Sequence, residues 1–278
     1  MKLLAWDTST KAGALAALEW DPASREGRLG LRLVSEWTLN VDANQSEQLL
    51  WGVDQLIRSI HWKLEDIDVF GVGVGPGSFT GLRIGITTAR TLARALGKPL
   101  VGVSSLAALA RPVALSALTQ KKPVTVIATT DACKGELFAL VGSAKAVVDC
   151  AVMADQDRPG LWKRGVEEVV IRPEELVRML KKKMGKGATA QWIAPGEGRK
   201  RYQPELWGKL PARTELETPF PFADLIQGRY VGMLTWEAYQ AGLARDPLLV
   251  HPRYLRASDA ELKLKAGLLP AGPTRGDH

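Results

Sequence analysis

The spacing of apolar residues along the first hundred positions predicts a lobe that mixes strands and helices. Strand-like runs stand in "KLLAWDTS", "AGALAALEW" and "LRLVSEWTL", with short polar turns between them. An amphipathic helix follows in "SEQLLWGVDQLIRSI", and its apolar face carries Leu49, Val53, Leu56 and Ile60. A strand at 69–74, a glycine-rich turn, a long helix and the strand "PLVGVSS" complete the order.

The remainder of the chain begins with the same order of elements. "VTVIATTDA" and "GELFALVGS" predict a strand pair, and we expect a third strand near 146–153. A helix at about 173–184, a short strand in "QWIAPGEG" and a helix near 222–243 follow. Even the first turns correspond, as "DTSTKAG" does to "DACKG". Hairpins followed by crossovers form mixed sheets covered by helices, so we predict two similar lobes facing each other across a cleft.

The glycine-rich turn does not match the common codes for phosphate or nucleophile sites. A Walker A loop needs Lys after its last glycine, but Leu82 and Arg83 follow Gly81. The dinucleotide fingerprint fails because Thr80 occupies the place of its third glycine. Ser78 also lacks the flanking glycines of a hydrolase elbow. The turn therefore does not predict a Walker A nucleotide site, a dinucleotide site or a hydrolase nucleophile.

The helix behind this turn carries two glycines one helical turn apart. Ser78 is a predicted N-cap, since its hydroxyl can accept a hydrogen bond from a free backbone N–H. Gly81 and Gly85 each cost the helix roughly 1 kcal/mol relative to Ala, and such glycines usually let another backbone come close. The helix could pack against the chain's own sheet, receive a partner's helix, or bind phosphate at its N-terminus.

Composition narrows the class of protein. The 278 residues are 46% hydrophobic, yet no apolar run approaches the ~18 residues of a membrane span. The N-terminus reaches Asp7 after four apolar residues, which is not typical of a signal peptide. Cys133 and Cys150 form no disulfide framework, so a cytoplasmic protein is expected. The histidines show no paired metal spacing, so we predict no metal site and no metal catalysis.

The net charge of +7 lies wholly in the second part of the chain. Residues 1–105 contain as many Lys and Arg as Asp and Glu, which leaves the excess in 106–278. Its densest clusters are "KKKMGK" at 181–186 and "GRKR" at 198–201. Such runs form a solvated surface or neutralise the phosphates of a nucleic acid, and both interpretations stay open.

The order of elements resembles that of the actin, hexokinase and Hsp70 superfamily, whose members have a duplicated fold of two lobes, each a mixed sheet flanked by helices. In that superfamily, hairpin turns that contain Asp hold the phosphates of ATP and a metal. This chain has "DTST", without the glycine that usually admits the phosphates. The resemblance therefore indicates degenerate phosphate loops at Asp7, Thr8, Ser9, Thr10 and Asp131, unless these residues only shape polar hairpin turns.

A more specific resemblance is to the TsaB (YeaZ) family, whose members are bacterial subunits of the machinery that makes threonylcarbamoyladenosine in tRNA. The sequence "GPGSFTGLRIG" at 75–85 is similar to the signature of that family. Many relatives have His where this chain has Gln45, and the catalytic paralogue binds metal through a His-x-x-x-His pair in this region. Other landmarks follow in family order: "LLAWDTST", "QSEQLL", "TDACKGELF", "PGEGRKRY" and "PRYLR".

The resemblance implies a noncatalytic subunit that binds and positions the catalytic, TsaD-type paralogue. A small TsaE-type ATPase and tRNA are the further partners expected through the complex, with a homodimer when the chain is alone and no membrane. No cofactor of its own is expected; the assembled complex would supply ATP or ADP and a metal. The resemblance places the subunit interface at Ser78, Phe79, Gly81, Leu82, Arg83, Gly85, Ile86 and Ala89.

The expected domain organisation follows from the repeated order of elements and from the resemblance. Residues 1–105 would form the first lobe with the interface, 106–257 the basic second lobe, and 258–278 a flexible tail. A nucleotide-dependent phosphotransferase on the same fold is the alternative function. A glycoprotease-like peptidase is less favoured, because the residues provide no Ser, Cys or metal constellation beside a histidine.

Overall fold

The computed structural model describes residues 1–23, 30–39, 45–120, 123–149, 165–184, 191–203 and 222–256. Its first sheet has the strand order β3-β2-β1-β4-β5. Strand β1 is central, antiparallel to β2 and parallel to β4, because β2 returns through a hairpin and β4 through a helical crossover. The strands are β1 (Lys2–Asp7), β2 (Gly13–Trp20), β3 (Leu31–Leu39), β4 (Val69–Gly73) and β5 (Leu100–Val103).

The second sheet repeats this arrangement with one strand fewer among the described residues. Its order is β8-β7-β6-β9, and β6 is antiparallel to β7 and parallel to β9. The strands are β6 (Val124–Asp131), β7 (Leu137–Ser143), β8 (Val166–Ile171) and β9 (Gln191–Ile193). Two mixed sheets with equivalent central strands confirm the predicted duplicated fold of the actin and hexokinase type.

Helices cover both sheets. They are α1 (Gln45–Ser59), α2 (Phe79–Ala95), α3 (Ser105–Ala117), α4 (Ala144–Asp149), α5 (Pro173–Met184), α6 (Glu197–Arg201) and α7 (Gly228–Gln240). Apolar residues of α3 and α7 pack between the inner faces of the two sheets. The outer face of the first sheet is covered by α1 and α2, and that of the second by α5. No helix in the described part of the chain is long and apolar enough to cross a membrane.

The prediction of a third strand near 146–153 is wrong for the described part of that range. Residues 144–149 form α4, while 150–153 lie outside the described residues. Ser143 caps this helix by accepting a hydrogen bond from the Ala146 N–H at 3.1 Å, and Lys145 pairs with Asp149 at 2.7 Å, one turn apart. The third strand of the second sheet is β8, which begins at Val166.

Helix α7 packs on the first sheet, although it belongs to the C-terminal part of the sequence. Glycines permit the close approach: a Cβ on Gly228 would lie 2.6 Å from the carbonyl carbon of Leu15. A Cβ on Gly71 of β4 would lie 2.0 Å from Oγ1 of Thr235 in α7. The domain boundaries at 105 and 257 stay a prediction, and the tail at 258–278 lies outside the described residues.

After α7 the chain runs back along the first lobe as a segment that we call the strap, residues 245–256. The Arg245 N–H donates to the Leu100 carbonyl at 3.0 Å, and the Arg253 N–H donates to the Val74 carbonyl at 2.8 Å. At its far end the Arg256 guanidinium donates to the Ala132 carbonyl of the second lobe at 2.6 Å. The strap therefore contacts both lobes.

Candidate functional site

The first of the predicted phosphate loops is closed by its own hydrogen bonds. Asp7 is fully buried at the end of β1, and one carboxylate oxygen accepts from the Ser9 N–H at 2.7 Å and from the Ser9 hydroxyl at 2.6 Å. The other oxygen accepts from the Ser105 hydroxyl at 2.5 Å. Burial raises the pKa of Asp7, and these hydrogen bonds oppose the rise. The carboxylate is thus engaged inside the chain.

The glycine-rich turn lies directly on this hairpin. The Ser78 N–H donates to the Ser9 carbonyl at 2.7 Å. A Cβ on Gly77 would lie 2.4 Å from that same carbonyl oxygen, so no larger residue fits there. Thr8 and Ser9 are both 2% exposed beneath the turn. The turn therefore covers the hairpin that would otherwise face a phosphate.

Helix α2 approaches the same hairpin through its two glycines. The Thr8 hydroxyl donates to the Gly81 carbonyl at 2.7 Å, and a Cβ on Gly85 would lie 2.2 Å from that hydroxyl oxygen. The Trp6 indole N–H donates to the Gly85 carbonyl at 3.0 Å. Gly85 therefore permits close packing against the chain's own hairpin, which is one of the three explanations open from the sequence, and Gly81 contributes its carbonyl to the same contact. Ser78 caps α2 as predicted, accepting from the Gly81 N–H at 3.2 Å.

The residues of the predicted subunit interface divide into buried and exposed ones. The side chains of Leu82, Ile86 and Ala89 are at most 1% exposed, and Gly81 and Gly85 are also buried. These five residues are buried within their own chain, although Ile86 also lines an open groove beside α2, and their place in an interface stays a prediction. Ser78, Phe79 and Arg83 are exposed, and their place in an interface stays a prediction.

The second predicted loop is also occupied by contacts within the chain. Asp131 accepts from the Cys133 N–H at 2.9 Å and from the Tyr202 hydroxyl at 3.0 Å. The Arg201 guanidinium lies 2.9 Å from the second carboxylate oxygen. Burial and the hydrogen bond to Asp131 raise the pKa of Tyr202. Sequence reasoning did not find Arg201 and Tyr202, although both belong to the quoted motif "PGEGRKRY".

The space beside the first hairpin is too small for a nucleotide. A pocket of about 40 Å³ lies between the hairpin, Trp37 of β3 and Gln48 of α1, and its wall includes Asp7, Thr8 and Lys11. Sites for small molecules and cofactors usually offer ~300–1,000 Å³, whereas a buried water needs ~10–15 Å³. The residues of this turn therefore do not fit the phosphates of ATP that the fold class implies.

A buried carboxylate that the sequence did not reveal joins the two lobes. The side chain of Glu168, on β8, is fully buried and accepts a hydrogen bond from Ser104, the N-cap of α3. The Arg253 guanidinium of the strap forms an ion pair with the same carboxylate. Burial raises the pKa of Glu168 to about 7, and the charge of Arg253 opposes the rise. Three distant parts of the chain therefore meet at Glu168.

The outer surface of the first lobe exposes large apolar side chains. Leu50 and Trp51 of α1 are 53% and 55% exposed. Phe79 at the start of α2 is 41% exposed, and its ring lies 5.1 Å from that of Tyr254 in the strap. Exposed apolar patches on a folded protein often mark interaction sites, and these three side chains are candidates for one. We call Leu50, Trp51 and Phe79 together the outer helical face.

The remaining sequence candidates lie apart from this face. In the described part of the chain, no group of three or more His, Cys, Asp or Glu side chains could hold a metal ion. Lys181 and Lys182 are exposed on α5, and residues 185–186 of that cluster lie outside the described residues. In the "GRKR" cluster, Lys200 lies 2.7 Å from Asp224 and Arg201 pairs with Asp131. This second cluster is therefore partly neutralised.

Comparison with known proteins places these features in a family. Residues 40–185 match the family model "TsaD: tRNA N6-adenosine threonylcarbamoyltransferase". The Escherichia coli tRNA threonylcarbamoyladenosine biosynthesis protein TsaB is 27% identical over 198 residues, which cover 71% of this chain and 72% of that protein. The Bacillus subtilis protein of the same name is 34% identical over 110 residues, covering 40% and 44%.

Solved structures agree with the sequence comparison. The structure "YeaZ from Pseudomonas aeruginosa" is 25% identical and superposes with a TM-score of 0.62, covering 91% of this chain and all of that one. The family model spans more than half of the 278 residues, and the relatives named TsaB and YeaZ match across both lobes. The chain belongs to the TsaD family and, within it, to the TsaB (YeaZ) proteins.

Proposed function

We propose that this chain is the noncatalytic partner subunit of a tRNA threonylcarbamoyladenosine transferase complex. Its family membership supports a role in this pathway, since the relatives from Escherichia coli and Bacillus subtilis are named as tRNA threonylcarbamoyladenosine biosynthesis proteins. A TsaD-type subunit would transfer the threonylcarbamoyl group to the adenosine next to the anticodon. This chain would bind that subunit and hold it in position.

The closed phosphate loops are the main observation that supports the noncatalytic role. Asp7 and Asp131 are the residues that the fold class would direct at ATP and a metal, but each is engaged by side chains and N–H groups of its own chain. Opening the first loop would expose the buried Asp7 and break the contacts of the glycine-rich turn, at a cost of several hydrogen bonds of ~1 kcal/mol each. ATP or ADP and a metal would be bound by the assembled complex.

The outer helical face supports the docking of a TsaD-type subunit. Leu50, Trp51 and Phe79 offer apolar and aromatic area of the kind enriched in the centres of protein interfaces. The helices beneath are fixed, because α2 is bound to β1 through Trp6 and Thr8. A rigid surface loses little conformational entropy on binding. A TsaE-type ATPase and tRNA would join through the complex.

The alternative functions gain no support from the described residues. A phosphotransferase needs a phosphate cradle, but the two candidate loops are filled. A peptidase needs a histidine beside its nucleophile or metal, whereas the His251 ring lies 2.8 Å from the guanidinium of Arg90 and His61 lies in the turn after α1. A binding subunit therefore fits the described residues best.

Binding to the paralogue from the same organism tests the proposal. Leu50→Glu places a charge in the outer helical face, and desolvating it should weaken association at least about tenfold, as measured by calorimetry. Leu118→Glu is the matched control, because Leu118 is 47% exposed at the end of α3, outside that face. Equal affinities of the two variants would contradict the docking surface. Modification of tRNA by the isolated chain would contradict the noncatalytic role.

A further inference from the structure

Helix α2 presents arginines, and no acids, to the side on which the strap lies. Its 17 residues include Arg83, Arg90 and Arg94 but neither Asp nor Glu. Arg83 and Arg90 are seven residues apart, which places them on the same side of the helix, two turns from each other. Between this side of α2 and the strap runs an open groove of about 340 Å³, lined by Arg83, Ile86, Thr87, Arg90, Pro252 and Tyr254.

The two guanidiniums of the groove are held in place by neutral groups. The Nε–H of Arg83 donates to the Tyr254 hydroxyl at 3.3 Å, and its guanidinium carbon lies 3.8 Å from the centre of the Phe79 ring. Arg90 donates to the carbonyls of Pro247 at 3.2 Å and Leu248 at 2.6 Å, and its guanidinium lies 2.8 Å from Nδ1 of His251. These contacts fix both side chains and leave their positive charge without compensation.

The two groove arginines differ from most arginines of the described ranges, whose guanidiniums have a carboxylate partner. Neither Arg83 nor Arg90 forms an ion pair with any described Asp or Glu, whereas eight other described arginines each do. These eight are Arg32, Arg58, Arg111, Arg199, Arg201, Arg229, Arg253 and Arg256. A groove that fixes two uncompensated guanidiniums is suited to an anion, and a carboxylate can accept two parallel hydrogen bonds from one guanidinium.

We propose that this groove receives an acidic side chain of the TsaD-type subunit, an inference that rests on the proposed function above. Carboxylate oxygens between Arg83 and Arg90 would supply the charge that the groove lacks. Phe79 and Leu248 each contact one of the groove arginines and are 41% and 48% exposed, so an occupant must also cover apolar surface. A protein partner can supply the negative charge and also cover the apolar surface, whereas a small anion in an open groove would leave these side chains in water.

The groove would also give the interface its specificity. Arginine beside tyrosine and other aromatic residues is the composition typical of interface hot spots. Because the strap already orders both guanidiniums, the partner would lose less side-chain entropy in forming the contact. A partner with a neutral or basic side chain at this position would bury the guanidinium of Arg83 without an anion and would bind more weakly.

The test compares two charge reversals on the same helix. Arg83→Glu should weaken binding of the wild-type paralogue by tenfold or more, because the acidic side chain would meet a like charge. Arg94→Glu is the matched control, since Arg94 is exposed on α2 but does not line the groove. We expect Arg94→Glu to change the affinity less than about threefold. Raising the salt from roughly 0.05 M to roughly 0.5 M should narrow the difference between the variants.

Two further experiments separate the effect of charge at Arg83 from unfolding and identify the partner residue. Arg83→Gln removes the charge without adding an opposite one and should cause a smaller loss than Arg83→Glu, while thermal unfolding checks that each variant is folded. A Glu→Arg or Asp→Arg change in the paralogue that restores the affinity of Arg83→Glu would identify the occupant and support the proposal.

Three results would overturn the inference. If the wild-type chain does not bind the paralogue, the proposed function fails and the inference with it. If the wild type binds and Arg83→Glu binds equally well, the groove assignment alone fails. If ADP or inorganic phosphate binds the isolated chain in a saturable way that Arg83→Glu abolishes, the groove belongs to a small anion and the protein occupant is refuted.

Discussion

A methyl group at Gly85 should destabilise the isolated chain, although glycine is a poor residue for the middle of a helix. Replacing glycine by alanine inside a helix normally stabilises it by about 1 kcal/mol. At Gly85 the new Cβ would lie 2.2 Å from the hydroxyl oxygen of Thr8, which is 2% exposed and cannot move into solvent. The clash therefore has to be relieved inside the first lobe.

The magnitude follows from three contributions. Overpacking of a filled interior typically costs about 1–3 kcal/mol. Displacing Thr8 also breaks its 2.7 Å hydrogen bond to the Gly81 carbonyl, at about 1 kcal/mol. The gain in helix propensity offsets roughly that last amount. We therefore expect Gly85→Ala to lower the free energy of unfolding by about 1–3 kcal/mol and the melting temperature by several degrees.

The assay is urea or thermal unfolding of the isolated chain, with two comparisons. Gly52→Ala is the matched control, because a Cβ on that helical glycine of α1 would lie an ordinary 3.7 Å from the side chain of Leu15. That variant should be as stable as the wild type or more stable. In a Thr8→Ala background the clash is gone, so Gly85→Ala should become neutral or stabilising. If Gly85→Ala behaves like Gly52→Ala in both backgrounds, the packing role of Gly85 is refuted.

Two further predictions concern the buried carboxylates. The folded-state pKa of Glu168 is raised from 4.5 to about 7, so between these pH values the folded chain binds more protons than the unfolded chain. The contribution of Glu168 to the free energy of unfolding therefore falls by roughly 3 kcal/mol as the pH rises from about 4.5 to about 7. Urea titrations at several pH values should show this slope in the wild type but not in Glu168→Gln, and parallel curves would contradict it. Because the pocket beside Asp7 holds about 40 Å³, Mg-ATP titrated into the isolated chain should show no saturable binding by calorimetry up to roughly 1 mM, and stoichiometric heat would refute the closed loop.

The central strands of the first lobe could be predicted as short apolar runs bounded by turn residues, and they are buried on both faces. Helix α1 could be predicted from its amphipathic pattern, and Ser78 identified the start of α2. Helix α3 lacks such a signal, since "SLAALARPVALSA" is apolar around most of its circumference and is buried between the two sheets. A continuous apolar run has no period from which a helix could be predicted.

Contacts between distant residues account for what the sequence could not give. The pattern of β8 is interrupted by two glutamates, and Glu168 is buried only because Ser104 and Arg253, 64 and 85 residues away, partner it. Gly81 and Gly85 indicated a close approach of another group, but the group turned out to be Thr8 of the same chain. The spacing of glycines in a helix predicts that another group packs closely on it, but not which group.

The contacts that fill the first hairpin turn also bear on the proposed role as a binding subunit. In a two-lobed fold of this kind, a ligand in the cleft can shift one lobe against the other only if it binds one arrangement better. Here Asp7 is bound to Ser105 at the start of α3, and Arg253 of the strap is bound to Glu168 of the second sheet. The first contact fixes the start of α3 on the first sheet, and the second joins the strap to the second lobe, both without a ligand. In the proposed docking, the surface on α1 and α2 would therefore be ordered before the partner binds, and binding energy would not be spent on closing the cleft.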